Sequence, residues 1–551
     1  MEISPKLGLL YLPPRRYLWT LVASLIGALV LLPILVLLFL SSNNDLAIWQ
    51  HLTQTVLVDY LKTTFLLALG VAVLSTFLGV SSALVVSQYS FPGARFFSWA
   101  LLLPLATPAY ITAYAYTGLM DVAGPLQESL RQLFDLKVGE YWFPQIRSLS
   151  GAIFVLSFVL YPYIYLLSRA AFAEQSDQLS HAARSLGLSH RQSFLKVKIP
   201  IARPAIVAGL ALVLMETLAD YGAVSYFGLS TFTTGIFRTW YGLGSVNTAA
   251  QLAITLLGFV VLVLILEKSS RRRAAFYSNA RHVKHEKTRL SGRAQILAIT
   301  IVSLPLLLGF IIPVGQLLLW ALPNAEQFLQ ATYWKLITNT IVLAGLSSLI
   351  ATIFAMLLVY AHRLHPNRLT LFAKSIAALG YAIPGLIIAI GILLPLGWFD
   401  NSLDAWLRTR FGISSGLLLS GSVVALIIAY LVRFLALAIN SVEAGLAAVQ
   451  PAMEQSARSL GLSSLATIRR VHIPLMRSSV LSGMLIVFVD VMKELPATLV
   501  LRPFNFNTLA VRAYELASDE RLTDAALPSI AIIVAGLIPI ILLTRIMLAD
   551  N

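Results

Sequence analysis

Long apolar runs alternate with short polar segments from one end of the chain to the other. Many of the runs reach about 18 residues, the length that crosses the hydrocarbon core of a bilayer. The pattern predicts twelve membrane-spanning helices, six in each half, over about residues 17–40, 62–86, 97–119, 149–170, 204–224, 249–267, 295–321, 337–361, 371–396, 416–438, 478–499 and 525–548. We therefore expect an all-α polytopic membrane protein.

The composition agrees with this prediction. Of 551 residues, 58% are hydrophobic and 12% are charged, and the mean hydropathy is +0.81, which is too apolar for an ordinary soluble protein. The formal net charge is +15, but the basic residues stand in short loops beside apolar runs. That placement indicates membrane topology rather than nucleic-acid binding. The absence of cysteine excludes disulfides and thiolate metal sites.

The distribution of basic residues also predicts the orientation. With Arg15 and Arg16 in the cytoplasm, successive spans place the basic stretches 169–203, 268–294 and 458–477 on that side, together with both chain termini. The first apolar run is too long for the core of a signal peptide, so we interpret it as a retained helix. The 268–294 linker holds nine Lys or Arg and one Glu. It joins the halves in the cytoplasm; binding of RNA or a specific lipid is the lesser alternative.

One heptapeptide occurs twice. Ala-Arg-Ser-Leu-Gly-Leu-Ser begins at Ala183 and again at Ala457, a displacement of 274 residues (457 − 183). We call the residue 274 positions later the counterpart. The repeat divides the chain into a first half, 1–267, and a second half, 295–551. Because each half has six spans, the two enter the membrane in the same direction, which predicts a parallel repeat with a pathway between the halves. Pro108 and Pro384 should kink the third span of each half.

Each heptapeptide lies in a polar cytoplasmic loop, 173–203 in the first half and 440–477 in the second. Small residues there permit close approach, and the leucines provide apolar anchors. A short helix of this kind suits insertion into a groove on a partner protein. The alternative is a helix that lies on the lipid surface.

The same loops resemble the cytoplasmic loop of permeases in binding-protein-dependent ABC importers. That family has Glu-Ala-Ala, then Gly, then Ile-x-Leu-Pro at fixed spacing. This chain has His181-Ala182-Ala183 with Gly187 and Pro200, and Gln455-Ser456-Ala457 with Gly461 and Pro474. The leading acid of the family is missing from both loops, where His181 and Gln455 stand in its place. The stretches 216–222 and 493–498 resemble the fused, ferric-iron group of these permeases in particular.

The resemblance implies a type I importer permease fold with loops that dock on two copies of a cytoplasmic ATP-binding subunit. The ATPase-coupling residues would be Ala182, Ala183, Gly187, Leu188, Pro200, Ser456, Ala457, Gly461, Leu462 and Pro474. A periplasmic binding protein would deliver the cargo. No Gly-Lys pair occurs in the chain, so a Walker A loop is absent. We therefore expect no enzyme activity and no cofactor in this subunit, with ATP and Mg²⁺ bound by the partners.

Four acidic residues fall near the ends of apolar runs. Glu216 and Asp220 are four apart, which predicts one helical face, and their counterparts are Asp490 and Glu494. Ionisable groups in a membrane usually face an interior or a wet cavity. With Tyr221 they are candidates for a translocation pathway, and their oxygen donors suit a passing hard cation rather than a stable metal site. The alternative is a structural role, since Lys493 adjoins Glu494.

Two arginines occupy matched positions in loops on the opposite side of the membrane. Arg238 has Arg512 as its counterpart, and arginine is a favoured anchor at protein interfaces. We predict that both engage carboxylates on the binding protein. The alternative is that they hold their loops at the membrane surface.

The sequence thus favours the permease of an ATP-driven importer in a bacterial inner membrane, working by alternating access. Ferric iron as cargo follows from the resemblance alone. Another small solute such as thiamine, or an ion-gradient-driven secondary transporter, remains as the alternative.

Overall fold

The computed structural model describes residues 14–42, 46–173, 175, 183, 185–272, 287–447 and 449–549. The helices of the first half are α1 Pro14–Ser41, α2 Leu46–Thr55, α3 Leu57–Gln88, α4 Ala94–Ala100, α5 Ala109–Met120, α6 Pro125–Phe134, α7 Leu149–Ala173, α8 His190–Ser193, α9 Ile199–Ala219, α10 Gly222–Tyr226, α11 Phe232–Phe237 and α12 Val246–Arg272. Those of the second half are α13 Gly292–Leu306, α14 Ile312–Ala321, α15 Ala331–Leu364, α16 Arg368–Leu379, α17 Gly385–Phe411, α18 Val423–Ala447, α19 Pro451–Ser459, α20 Ser464–Thr467, α21 Ile473–Met492, α22 Pro496–Leu501, α23 Leu509–Ser518 and α24 Leu522–Ala549.

Short elements join these helices. Turns of 3-10 helix cover Leu103–Ala106, Ala325–Leu329 and Gly380–Ala382, and π-helical turns cover Phe194–Lys198, Arg238–Gly242, Leu307–Ile311 and Ile468–His472. Two strands, β1 Tyr89–Ser90 and β2 Thr288–Arg289, pair in parallel. The pairing attaches the end of the basic linker to the end of α3. Most of the linker, 273–286, lies outside the described residues.

The predicted number of spans agrees with the structure. In the described ranges, eleven helices are long and apolar enough to cross a membrane, and the number is twelve if Ala94–Ala106 and Ala109–Phe134, which are bent by 92°, form one span. The predicted all-α membrane fold is confirmed.

The third span of each half is interrupted at its proline. Pro108 and Pro384 have ψ angles of 143° and 137°, outside the helical region, and each precedes the first residue of a new helix. Proline lacks the N–H that would continue the helical ladder and disfavours helical backbone in the residue before it. The prolines therefore break these spans, and in the first half the break turns the chain.

One compact unit, here called unit 2, contains residues 43–334 and 509–551. Within it, α3 packs along α7, and α9 packs against both. Small residues permit this: a Cβ at Gly79 would lie 2.8 Å from the Ile164 Cβ, and one at Gly209 would lie 2.7 Å from the Ile164 Cα. Close approach at glycine is the usual means of helix association in membranes.

The other compact unit, here called unit 1, contains residues 1–42 and 335–508. Helix α1 packs against α16 and α17. A Cβ at Gly27 would lie 2.9 Å from the Ala373 Cβ, and one at Gly391 would lie 2.5 Å from the Pro33 Cα. The first helix of the chain thus belongs to a unit built mainly from the second half.

The compact units and the sequence repeats divide the chain differently. The first span of the second half, α13 and α14, belongs to unit 2 with the body of the first half, and so does the last span, α24. The boundaries of the halves at 267 and 295 stay a prediction from the repeat.

Candidate functional site

The repeated heptapeptide forms the same backbone turn in both halves. Gly187 and Gly461 have φ angles of +89° and +79°. In each half the N–H of the following leucine donates to the carbonyl of the heptapeptide's first alanine, Leu188 to Ala183 and Leu462 to Ala457, at 3.1 Å. This is the hydrogen bond of a Schellman motif, which ends a helix on a glycine in the left-handed region.

The serine that ends the heptapeptide starts the next helix. The Ser189 Oγ accepts a hydrogen bond from the Gln192 N–H at 3.3 Å, and the Gln192 Oε1 accepts from the Ser189 N–H at 3.0 Å. In the second half the Ser463 Oγ accepts from the Ala466 N–H at 3.3 Å. Serine is a preferred N-cap. The heptapeptide therefore encodes a helix end, a tight turn and a helix start, which explains its identity in both copies.

The turn exposes one leucine in each half. Leu186 and Leu460 are 86% and 83% exposed, whereas Ala183 and Ala457 are buried. Leu188 and Leu462 are partly buried, and Ser456, Pro200 and Pro474 are exposed. Ala182 and His181 lie outside the described residues, while Gln455, which replaces the family's acid in the second loop, is exposed.

A π-helical turn follows each heptapeptide at the same distance. Phe194–Lys198 and Ile468–His472 are counterparts, and each is followed by Ile and then Pro, at Pro200 and Pro474. The wider turn accommodates a proline that would otherwise collide with the carbonyl four residues earlier.

Each π-helical turn is also held by a polar contact to the helix that forms the second span. The Lys198 ammonium donates to the Gln88 Oε1 at the end of α3. Its counterpart His472 is buried, stacks on Tyr360 of α15 at 5.4 Å between ring centroids, and forms a hydrogen bond with the Tyr360 hydroxyl at 2.9 Å. The two π-helical turns are thus attached to the second-span helix of their own half through different chemistry.

The two carboxylates of the first half do not share one helical face, so that prediction was wrong. Helix α9 ends at Ala219, and Asp220 is extended, with ψ of 129°. Its Oδ1 accepts hydrogen bonds from the Ala223 and Val224 N–H groups at 3.0 and 3.1 Å. Asp220 therefore caps α10, while Glu216 remains on α9 and is partly buried. Acidic side chains favour such positions because they satisfy free N–H groups at a helix start.

Glu494, the counterpart of Asp220, caps α22 in the same way. Its carboxylate accepts from the Ala497 N–H at 3.0 Å, the Thr498 N–H at 3.1 Å and the Thr498 hydroxyl at 2.7 Å. It also lies 3.3 Å from the Arg433 Nη1 of α18. Both partners are buried. The counterpart position of Arg433 in the first half is Val159. Glu494 therefore has a cationic partner at this position, and Asp220 does not.

The remaining acid of this group, Asp490, lies on α21 and is 9% exposed. The Lys493 ammonium lies 2.7 Å from its Oδ1. Lys493 therefore pairs with Asp490, three residues earlier, while Glu494 pairs with Arg433.

The two arginines predicted to dock a binding protein lie on the surface of unit 2. Arg238 donates to the Ser230 Oγ at 3.4 Å, and the Arg512 guanidinium lies 3.7 Å from the Glu515 carboxylate, with 40% of its side chain exposed. Tyr221 of the first half packs on Tyr514 at 6.1 Å between ring centroids. The Tyr514 hydroxyl lies 3.2 Å from the Ser225 Oγ. Matched loops of the two halves therefore meet within one unit.

Sequence reasoning missed several polar groups. Arg433 is a lone charge in an apolar run and was visible as such. Arg147, in the loop before α7, forms an ion pair with Glu520 at 2.8 Å and stands over the Tyr226 ring at 5.1 Å from its centroid. Tyr114 of α5 is buried with its hydroxyl unpartnered among the described residues. The spacing of these residues in the sequence does not predict which residues they contact.

Comparison with known proteins identifies the family. The model of the binding-protein-dependent transport system inner membrane component matches residues 15–275 and again 356–549. The chain belongs to this family, and it contains the family's domain twice. The predicted resemblance and the two-repeat fold are confirmed.

Relatives with named functions match the chain over different lengths. It is 27% identical over 97% of its length to the Fe(3+)-transport system permease protein FbpB 2 of Haemophilus influenzae, of which it covers 99%. It is 21% identical over 81% of its length to the ferric transport system permease protein FbpB of Actinobacillus pleuropneumoniae, covering 65%. The sulfate transport system permease protein CysT of Salmonella typhimurium is 29% identical over 36% of this chain and 69% of its own length.

Proposed function

We propose that this chain is the inner-membrane permease of an ATP-driven importer for ferric iron. The observation that carries the proposal is the turn at Gly187 and Gly461, which presents an exposed leucine at the same position of a duplicated loop. Two identical docking elements suit a partner that is itself present in two copies. The relative named for ferric transport spans 97% of the chain, whereas the one named for sulfate spans 36%. This difference favours iron as the cargo.

The partners in this proposal are two copies of a cytoplasmic ATP-binding subunit and a periplasmic binding protein. ATP and Mg²⁺ are bound by the ATP-binding subunits, because this chain has no Walker A loop. The N- and C-termini are cytoplasmic, on the side of the coupling loops. Leu186 and Leu460 then enter apolar pockets of the ATP-binding subunits, and rigid helix ends beside them transmit the movement of those subunits to the spans.

Cargo would pass the ends of the fifth spans, which lie far from the coupling loops. Helix α9 has 21 residues, or about 30 Å at ~1.5 Å per residue. Glu216, Asp220 and Tyr221 stand at this end in the first half, and Asp490 and Glu494 stand at the corresponding end in the second. Their oxygen atoms suit brief contact with a hard cation. Asp490 and Glu494 are already ion-paired, whereas no cation among the described residues pairs with Asp220. We therefore assign the larger part in contacting cargo to Asp220.

The function is tested by reconstitution. The chain is co-expressed with the ATP-binding subunit, purified and placed in liposomes with the binding protein. Uptake of radioactive Fe(III) that requires ATP and the binding protein is the expected result. Uptake of thiamine or sulfate in place of iron would refute the cargo, and iron uptake driven by an ion gradient without ATP would refute the mechanism.

The docking role of the leucines has a matched control. Leu186→Ser and Leu460→Ser should each reduce co-purification of the ATP-binding subunit and stimulated ATP hydrolysis, without loss of folded permease. Leu195→Ser is the control, since Leu195 is also exposed in the first loop but has Arg469 as its counterpart. Equal effects at Leu195 and Leu186 would refute a specific docking role.

A further inference from the structure

Tyr114 has a buried hydroxyl group that no described residue engages. The residue is 1% exposed, and its hydroxyl oxygen has no hydrogen-bond partner in the described parts of the chain. A tyrosine hydroxyl normally finds a partner when it is buried. Two residues further along the same helix, by contrast, the Tyr116 hydroxyl donates a hydrogen bond to the Leu308 carbonyl at 2.6 Å. The environment of Tyr114 therefore points to a ligand from outside the chain.

Side chains with hard oxygen donors, phenols and a carboxyl group, lie around Tyr114. The Tyr110 ring lies 5.7 Å away and the Tyr226 ring 4.6 Å away, centroid to centroid. Tyr226 is the last residue of the five-residue helix α10, whose start is capped by the Asp220 carboxylate. The Tyr514 hydroxyl lies 3.2 Å from the Ser225 Oγ of the same helix. We call the four tyrosines and Asp220 the phenol-carboxylate cluster. All of them belong to unit 2.

Asp220 brings to this cluster a carboxyl group that no cation among the described residues compensates. Its Oδ1 is engaged by two backbone N–H groups of α10, and no cation pairs with it among the described residues. The charged side chain that acts on it is another acid, Glu216. In the second half the same capping position is neutralised by Arg433. A cation bound at Asp220 would provide the positive charge that Arg433 provides at Glu494.

The repeat shows that the fold does not require tyrosine at these positions. Alignment of Pro108 with Pro384 sets an offset of 276 for the third span (384 − 108), and the fifth-span offset is 274. The second-half residues that correspond to Tyr110, Tyr114 and Tyr226 are Leu386, Ile390 and Val500. Aliphatic residues therefore build the same elements in the second half, and the hydroxyl groups of the first half serve something other than packing.

Phenolate and carboxylate oxygens are hard donors, which select hard cations. A trivalent cation strongly favours the ionised form of a ligand that it binds. On binding, the Tyr114 phenol would release its proton to solvent and donate an oxygen lone pair to the metal. This exchange needs no oxidant or reductant.

From this geometry we propose that Tyr114 and Asp220 form a transient binding site for Fe(III) in the first half, with Tyr110 and Tyr514 beside them. The inference rests on the proposed function, because it treats the ion as cargo. It also makes the site asymmetric, with the corresponding place in the second half occupied by the Arg433–Glu494 ion pair.

Visible absorption provides the test, because an Fe(III)–phenolate bond has a charge-transfer band. Fe(III) supplied as its nitrilotriacetate complex is added to the purified permease with its ATP-binding subunits. The expected result is a saturable band that Tyr114→Phe abolishes, with a fall of roughly 10-fold to 100-fold or more in Fe(III) affinity. Asp220→Asn should weaken binding similarly while its Oδ1 still caps α10. Ga(III), which binds hard donors but gives no such band, should compete with Fe(III).

Tyr116→Phe is the control variant, and it should retain the band. A normal thermal unfolding midpoint for Tyr114→Phe separates loss of a ligand from loss of the fold. The absence of a band in wild type, or its persistence in Tyr114→Phe, would refute the site. Binding of an organic cation in place of Fe(III) would show that the tyrosine rings bind cations through their aromatic faces and not through their hydroxyl oxygens. If iron uptake proceeds without a band, only this inference fails; if the reconstituted importer takes up no iron, the proposed function fails.

Discussion

The Arg433 Nη1 atom lies 3.3 Å from the Glu494 Oε1 atom, and both side chains are buried. Glu494 already accepts hydrogen bonds from the start of α22 and from Thr498. The pair links α18 to the turn after α21, where the first half has only Val159 and Asp220. This ion pair is the clearest chemical difference between the two repeats at the ends of the fifth spans, where the candidate pathway residues lie.

The first prediction concerns this pair. Arg433→Met should destabilise the permease by roughly 3 kcal/mol, because it leaves a buried carboxylate without its cation. Arg433→Met combined with Glu494→Gln should recover much of the loss, since no isolated charge remains. Thermal unfolding in detergent measures both effects. If the single variant is as stable as wild type, the ion pair does not stabilise the second half.

The second prediction concerns the coupling turns. Gly187→Ala and Gly461→Ala should each cost roughly 1 to 2 kcal/mol locally, because a Cβ disfavours a left-handed backbone. Among the described residues, apart from the chain neighbours, no atom lies within 4 Å of such a Cβ, so we ascribe the cost to conformation. We expect reduced stimulation of ATP hydrolysis by the binding protein.

Asparagine provides the control for these glycines, because it tolerates the left-handed region better than alanine does. Gly187→Asn and Gly461→Asn should retain more activity than the alanine variants. An order of activity with alanine above asparagine would contradict the conformational explanation.

The third prediction is a dependence of stability on pH. The hydrogen bond from Arg147, together with its charge, holds the pKa of Glu520 below the ordinary value of 4.5, although partial burial opposes this. The contribution of the ion pair is therefore present above pH 4.5 and is lost as the pH falls through the lowered pKa. Because the pair is exposed, its contribution is at most about 1 kcal/mol.

Unfolding midpoints measured from pH 7 to pH 3 test this contribution. Glu520→Gln should lower the midpoint near pH 7 and reduce the loss on acidification. Glu128→Gln, in helix α6 of the loop that contains Arg147, is the control and should leave the profile unchanged. A profile for Glu520→Gln that parallels wild type would refute the role of the pair.

The fourth prediction concerns docking of the binding protein. Arg238→Glu and Arg512→Glu should slow its association by roughly 10-fold each at low salt and weaken the salt dependence, because exposed interface charges act mainly on the association rate. Stopped-flow binding to the permease in nanodiscs provides the measurement. Arg408→Glu, exposed on α17, serves as control; an equal effect there would indicate general surface charge and not a docking site.

Much of the fold was predictable from sequence because a membrane imposes a simple rule on it. Each span must be long and apolar, and hydropathy reports both properties. The internal repeat then located the two heptapeptide turns, since a left-handed backbone favours glycine at both Gly187 and Gly461. The break after α9 was not predicted because the residues around Asp220 are apolar enough for the sequence pattern to indicate a continuous helix.

The packing partners of the spans could not be predicted in the same way. Helix α1 packs in unit 1 through Gly27. Glycine is common in membrane helices, however, and its position in the sequence does not identify the helix that packs against it. Arg433 and Tyr114 are single residues without a periodic pattern. Their importance depends on which atoms surround them, and only the folded chain provides that information.

The position of α1 in unit 1 also has a consequence for biosynthesis. Its packing partner α16 begins 327 residues after the end of α1 (368 − 41). At ordinary translation speeds this interval is roughly 15 to 65 s. Until α16 has been synthesised, the Gly27 side of α1 lacks the helix that packs against it in the folded chain. A chain released in the linker would therefore lack the helices against which α1 packs.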